Sequence, residues 1–263
     1  MSASNVVKEN LRLHRREAKD YESDKVEIYN EREQERINSV LSEVKNYIKT
    51  NNSELRALDV GCGTGNMLEK LIPRFNEVIG VDISDEMLSK AKKKQENNGS
   101  DSQLVRGKAA KLPFPDNHFD VVTTYSVLHH LPDFSEPISE ISRVLKDGGV
   151  LYIDHEPVDR EKLAVKSYIK FCDMLNGEHP EGLPPYAEMD GRELCDYHLH
   201  HGEECGIPTS RVIELCENAG LNVINTRKYL SYGTRKKNPL HSVLKLFVDS
   251  EWMLIGRKNS EKQ

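Results

Sequence analysis

Hydrophobic positions along the chain change their period several times, and the changes outline an architecture. From Glu33 onward, Ile37, Val40, Leu41, Val44 and Ile48 recur at helical spacing, which predicts a helix with one face packed on the domain that follows. The polar break Thr50-Asn51-Asn52-Ser53 ends it. Short apolar runs then alternate with helical stretches. Strands are expected over 56–60, 77–81, 103–106, 120–125 and 150–154, with helices over 66–74, from Ser84 and from about Ser135. In the last of these, Phe134, Ile138, Ile141 and Leu145 form one stripe, and Gly148-Gly149 is expected to end the helix. Ser84 is a good cap, with Asp85 and Glu86 in the first turn and Lys90 to Lys94 late, as the helix dipole favours. Such alternation predicts a parallel sheet with helices on both faces and ligands outside the carboxyl ends of its strands.

Beyond residue 157 the pattern loosens. A helix is expected over 161–175, then a long polar stretch with Gly177, Pro180, Gly182, Pro184 and Pro185, which reads as a lid or substrate loop. Thr209 or Ser210 should cap a helix to Ala219, ended by Gly220, before a strand over 221–229. Leu240, Val243, Leu244 and Phe247 form a short amphipathic piece, for which packing on the sheet is favoured over docking to a membrane or a lipid-like substrate. A last strand is expected over 252–257.

The stretch Leu58-Asp-Val-Gly-Cys-Gly-Thr-Gly-Asn-Met-Leu68 runs a strand into a glycine turn that opens a helix. Glycines at alternate positions let the backbone press against a ligand. Asp82 closes the second strand, where a carboxylate can accept hydrogen bonds from ribose hydroxyls. A dinucleotide fold prefers its third glycine one residue later, and here Asn66 stands in that place.

Five phrases in order resemble the motifs of the class I S-adenosylmethionine-dependent methyltransferases, closest to the small-molecule type 11 branch. They are Leu58-Asp-Val-Gly-Cys-Gly-Thr-Gly65, Val78-Ile-Gly-Val-Asp-Ile-Ser84, Leu112-Pro-Phe-Pro-Asp-Asn-His-Phe-Asp120, Val127-Leu-His-His-Leu131 and Arg143-Val-Leu-Lys-Asp-Gly-Gly149. The resemblance implies a Rossmann-like α/β fold, with a seven-stranded, mostly parallel sheet, an antiparallel last strand and S-adenosyl-L-methionine as cofactor. It implies that Asp59 and the backbone of Gly61, Cys62, Gly63 and Gly65 hold the methionine portion. Asp82 would hold the ribose, Ile83 and Met87 would line the adenine, and the Ala109 N–H would meet its edge. Tyr21 resembles a tyrosine with which relatives cover the cofactor. Relatives often carry an acidic residue before this alanine, whereas the phrase here is Gly107-Lys108-Ala109.

Methyl transfer from a sulfonium needs alignment, water exclusion and sometimes a base. Tyr125 and Ser126 should face the reaction space, and Tyr125 is counted with the cofactor residues. His129, His130 and His155 are the candidate bases, since histidine titrates near neutral pH. Asp154 and Glu156 leave the same strand as His155. The position after the fourth strand reads Thr124-Tyr125-Ser126, without the polar-Pro-Pro-aromatic phrase of amino-directed DNA methyltransferases. Cys195, His198, His200, His201 and Cys205 cluster without a Cys-x2-Cys clip, so structural or substrate-facing roles are expected and no metal.

Composition narrows the partners. Against 37 Lys and Arg stand 43 Asp and Glu, a net charge of -6, so no global basic field for nucleic acid exists. The five cysteines suit reduced thiols, and the N-terminus has no apolar leader, which suggests a cytoplasmic protein. The expectation is an N-terminal helical arm over 1–55, a cofactor-binding core over 56–157 and a lid or substrate lobe over 158–263 that completes the sheet. Its reaction would be methyl transfer to oxygen, nitrogen or carbon of a small molecule. A nicotinamide-dependent oxidoreductase and a non-catalytic cofactor-binding adaptor are the alternatives. The sequence leaves the oligomeric state open.

Overall fold

The computed structural model describes residues 25–50, 53–157, 207–229 and 251–259. A short helix α1 (Val26–Tyr29) leads into α2 (Glu31–Tyr47). The Asn30 side chain caps α2 by accepting from the Glu33 N–H at 3.0 Å. Then come β1 (Arg56–Val60), α3 (Asn66–Leu71), β2 (Glu77–Asp82), α4 (Asp85–Asn98), β3 (Gln103–Arg106) and β4 (Phe119–Tyr125). A 3-10 turn at Leu128–His130 precedes α5 (Ser135–Val144), β5 (Leu145–Pro157), α6 (Thr209–Asn218), β6 (Leu221–Tyr229) and β7 (Glu251–Lys258).

The described strands form one seven-stranded sheet in the order β3-β2-β1-β4-β5-β7-β6. Only β7 runs antiparallel to its neighbours β5 and β6. This is the mostly parallel, Rossmann-like α/β fold expected. Strand order reverses at β1, which pairs with β2 on one side and β4 on the other. Ligands of such sheets bind at this switch point, beyond the carboxyl ends of the strands.

Both faces are covered, so β1 and β4 are buried nearly throughout, the polar Asp59, Asp120, Thr123 and Thr124 included. On one face Ile138 and Ile141 of α5 and Val212 and Cys216 of α6 pack on Leu58, Val122, Ile153 and Trp252. On the other, Ile37, Val40, Leu41 and Val44 of α2 pack on Val121, Val150, Tyr152 and Met253. Each such side chain contributes about 1.5–3 kcal/mol when fully buried. The N-terminal helix is therefore part of the core.

Several boundaries differ from the sequence expectation. Strand β5 runs on to Pro157, and α6 starts at Thr209 itself, with Pro208 in the cap position and no side-chain cap bond from Thr209 or Ser210. Helix α2 begins at Glu31, two residues early, because Asn30 supplies the cap. Helix α3 stops at Leu71, short of Pro73. Strand β5 begins at Leu145, where a helix was expected to run on to Gly148, because Leu145 pairs with Phe119. Gly148 is then a bend within the strand region rather than a helix stop. Its φ is +76°, and a Cβ there would meet the Lys49 carbonyl oxygen at 2.6 Å, so only glycine fits. The expected helix 161–175, the polar loop, the Cys195–Cys205 cluster, the amphipathic piece at 240–247 and Tyr21 lie outside the described residues.

Candidate active site

The glycine loop leaves β1 at Val60. Gly61 and Cys62 donate their N–H groups to the Val81 carbonyl at 2.7 and 3.0 Å, which closes the turn against β2. Gly61 has a φ of +75°, and a Cβ there would come within 2.5 Å of Val127, so the loop depends on glycine at this point. A Cβ on Gly63 would meet nothing within 4 Å, which marks open space over the turn. The Asp82 carboxylate accepts from the Gly63 N–H at 2.9 Å and the Ser84 N–H at 2.8 Å. These bonds fix its orientation at the end of β2, and a carboxylate offers about four acceptor sites. The Ser84 hydroxyl in turn caps α4 through the Met87 N–H at 3.3 Å.

Beneath the loop, Asp59 is buried and accepts from the Thr123 hydroxyl at 2.7 Å. Burial pushes its pKa up to about 7; the Thr123 bond opposes the rise and the Asp82 charge adds to it. Asn66, the first residue of α3, is buried with both atoms of its amide unpartnered. Such orphans are rare in folded proteins and call for an explanation. Open space over Gly63, an oriented carboxylate at Asp82 and this amide fit the methionine and ribose portions of S-adenosylmethionine. Ile83 is half-buried, Met87 buried and Ala109 half-buried, while Lys108 is exposed. The Tyr29 hydroxyl, from α1, hydrogen-bonds Thr64 within the loop at 2.8 Å.

A different construction stands at the carboxyl ends of β4 and β5. Glu156 accepts from the N–H groups of Val127 and Leu128, both at 2.8 Å, and of His129 at 3.1 Å. Its carboxylate also lies 2.8 Å from His129 Nδ1. Burial raises the Glu156 pKa to about 7 despite the three N–H donors. His129 is thus tied into the loop, and the half-buried His130 lies beside it, with ring centroids 4.0 Å apart.

On the face covered by α2, Asp154 is fully buried. Its Oδ2 accepts from Arg36 at 2.7 Å and from the Tyr152 hydroxyl, and its Oδ1 accepts from the Tyr229 hydroxyl at 2.7 Å and the His155 N–H at 2.8 Å. The Arg36 guanidinium also forks onto Glu33 at 2.8 and 2.6 Å and lies 3.9 Å from the Tyr229 ring centroid. Glu33 accepts further from the Tyr125 hydroxyl at 2.9 Å. Burial alone would raise the Glu33 pKa, but the hydrogen bonds from Arg36 and the charge of the nearby His155 prevail and lower it to about 2. Burial and the neighbouring carboxylates push the Tyr125 and Tyr152 phenols well above their ordinary range, so both remain neutral donors. The His155 ring stacks on Tyr125, with centroids 5.0 Å apart and planes 12° from parallel.

Tyr125 and His155 are thus brought together by a cluster whose other members, Glu33, Arg36, Tyr152 and Tyr229, sequence reasoning did not single out. One signal was present. Glu33 is a charged residue within the apolar stripe of α2, three positions before Arg36, and a buried acid on a packing face needs a partner. No His, Cys, Asp and Glu group capable of holding a metal occurs among the described residues. None of the described helices is long and apolar enough to cross a membrane.

A family model for the methyltransferase domain matches residues 58–153. The demethylmenaquinone methyltransferase of Lactobacillus johnsonii is 35% identical over 187 residues, covering 67% of this chain and 72% of its own. That of Staphylococcus saprophyticus is 39% identical over 181 residues, covering 66% of this chain and 73% of its own. Among solved structures, YcgJ of Bacillus subtilis is similar with a TM-score of 0.55 at 18% identity, over 84% of this chain and 98% of that one. A methyltransferase structure from Bacillus halodurans reaches 0.57 at 20% identity, over 84% of this chain and all (100%) of that one. At these identities the structures speak for the fold.

Proposed function

The chain belongs to the S-adenosylmethionine-dependent methyltransferases, and we propose that its acceptor is a small hydroxylated aromatic ring of the naphthoquinol kind, methylated at carbon. One observation carries this reading: relatives that match two thirds of the chain bear the name demethylmenaquinone methyltransferase. S-adenosylmethionine supplies a methyl group already activated on a sulfonium. What remains for the protein is to bind and align the partners, to exclude water and to govern the acceptor's protons.

In this reading Asp59, the backbone of Gly61, Cys62, Gly63 and Gly65, and the Asn66 amide bind the methionine portion. Asp82 accepts from the ribose hydroxyls, each charge-assisted bond contributing about 1.5–3 kcal/mol. Ile83 and Met87 wall the adenine, and the Ala109 N–H meets its edge. Tyr29 latches the loop through Thr64. Glu156 and His129 hold the turn after β4, leaving His130, Tyr125 and His155 on the acceptor side. A ring carbon becomes nucleophilic when the hydroxyl beside it ionises, so the acceptor side must favour the ionised form.

Calorimetry with S-adenosylhomocysteine, with Asp82→Ala as control, tests the cofactor half. Methyl-labelled cofactor with a reduced demethylnaphthoquinone, followed by mass spectrometry, tests the acceptor half. A labelled ring-methylated product is expected. Tight cofactor binding with no transfer to any quinol would remove the acceptor assignment and leave the family intact.

A further inference from the structure

Two adjacent strand ends hold left-handed residues that are not glycine. Ser126 follows β4 with φ +60°, and His155 lies in β5 with φ +57°. The Ser126 N–H donates to the Asp154 carbonyl at 2.9 Å, so the two bends are joined. His155 sits where the register of β5 against β7 slips, between Ile153 and Glu156. A bulge alone is served best by glycine or asparagine, which adopt this conformation easily. A buried histidine held there points to a use for its ring.

The surroundings over-determine that ring. Asp154 accepts the N–H of His155 and is itself held by Arg36, Tyr152 and Tyr229. Tyr125 stacks on one face of the imidazole. Nδ1 is buried, lies 3.7 Å from Glu33 Oε1, and has no hydrogen-bond partner. That separation is an ion-pair distance and too long for a hydrogen bond.

Resting on the aromatic-acceptor reading, we propose that His155 meets the ionising hydroxyl of the acceptor, and that Glu33 and Arg36 of the N-terminal helix position and charge it. Arg36 acts through Asp154, which fixes the backbone of His155. Glu33 acts on the ring directly. The charged and titratable groups around the ring are Glu33 from α2, Arg36 behind Asp154, and Asp154 and Glu156 from β5. Among the described residues, Tyr125 from β4, Tyr229 from β6 and Glu251 from β7 complete the set. Burial pushes the imidazole pKa down, but Glu251, Glu33 and Asp154 outweigh it and raise the value from 6.5 to about 9. At neutral pH the ring is a cation and a donor. The acceptor's O–H bond breaks, its proton passes to solvent, and His155 keeps its own proton and donates a charge-assisted hydrogen bond to the oxygen left behind. Acceptors are thereby selected for a hydroxyl beside the methylated atom.

The pair is tested first in the free protein, by NMR of labelled histidine. His155 should titrate near 9, and Glu33→Gln should lower that midpoint by about one unit, a tenfold change in proton affinity. Titration near 6.5, or an unmoved midpoint in the variant, overturns the charging role. The acceptor role is then read by the absorbance of 1-naphthol bound beside S-adenosylhomocysteine. The wild-type protein should lower the naphthol's ionisation midpoint about tenfold in proton affinity, and His155→Asn, which tolerates the left-handed backbone, should restore the free value. Naphthol that binds but titrates as in water overturns the acceptor role of His155. Naphthol that does not bind overturns the aromatic-acceptor reading, and with it that role, while the NMR result stands on its own.

Discussion

The glycine-loop end of β1 and β2 and the charge cluster over β4 and β5 occupy one edge of one sheet, but different bonds build them. At the loop, backbone N–H groups reach a carbonyl and a carboxylate on the next strand, with Gly63 and Asp82 only 19 positions apart. In the cluster, Arg36 bonds Asp154 and Tyr229 across 118 and 193 positions, side chain to side chain. The loop's bonds come with the turn and need little else. The cluster removes several charges from water at once, so its members stabilise only as a set, and losing one leaves another buried and unpaired.

That contrast can be broken by substitution. Arg36→Met should cost about 3–5 kcal/mol in denaturant unfolding, because the buried Asp154 and Glu33 lose their cation. A loss under about 1 kcal/mol would mean that the cluster is not a unit. Acid should act on the same group. The folded pKa of Glu33, about 2, lies below its ordinary 4.5, so its contribution is complete above 4.5 and disappears as pH falls towards 2. The shift corresponds to at most about 3 kcal/mol. Glu33→Gln should flatten that acid limb; Asp59 and Glu156, both raised to about 7, lose stability in the opposite sense as pH rises towards 7. Unfolding curves of both proteins across this range, subtracted, isolate Glu33.

At the loop, Asp82→Ala should weaken S-adenosylhomocysteine binding by about 1.5–3 kcal/mol by calorimetry. Its unfolding free energy should fall by less than that of Arg36→Met, and the reverse ranking would erase the distinction. Tyr229→Phe should cost about 1 kcal/mol alone and noticeably less in the Arg36→Met background, since both bond Asp154. Strict additivity would count against a coupled cluster. As the floor of the scale, Arg106→Ala breaks only an exposed pair with Asp85 at 3.1 Å and should change stability by under about 0.5 kcal/mol.

Legibility in the sequence follows the same line. The loop could be read because its signal is local: a short strand, alternate glycines and an acid one strand later. The apolar stripe of α2 was equally plain, as was the Ser84 cap. The start of β5 was not, because the apolar stripe of α5 includes Leu145, and only its pairing with Phe119 makes that residue a strand. The cluster was half visible: Tyr125 and the Asp154-His155-Glu156 run stood out at strand ends, but nothing local ties Arg36 to Tyr229. Histidines invite a catalytic reading by type alone, and only the three N–H bonds to Glu156 reveal that His129 is fastened into a turn.

Strand order also dictates a sequence of events during synthesis. Among the described strands, β6 touches the sheet only through β7, which is made after it. Tyr229 ends β6, so its bonds to Arg36 and Asp154 cannot form in place until residues near 251–258 have left the ribosome. The N-terminal helix emerges early with its glutamate and arginine still awaiting those partners. A charged face made before the sheet is therefore among the last to be sealed, and a chain stopped before β7 would hold a glycine loop beside a charge cluster still open.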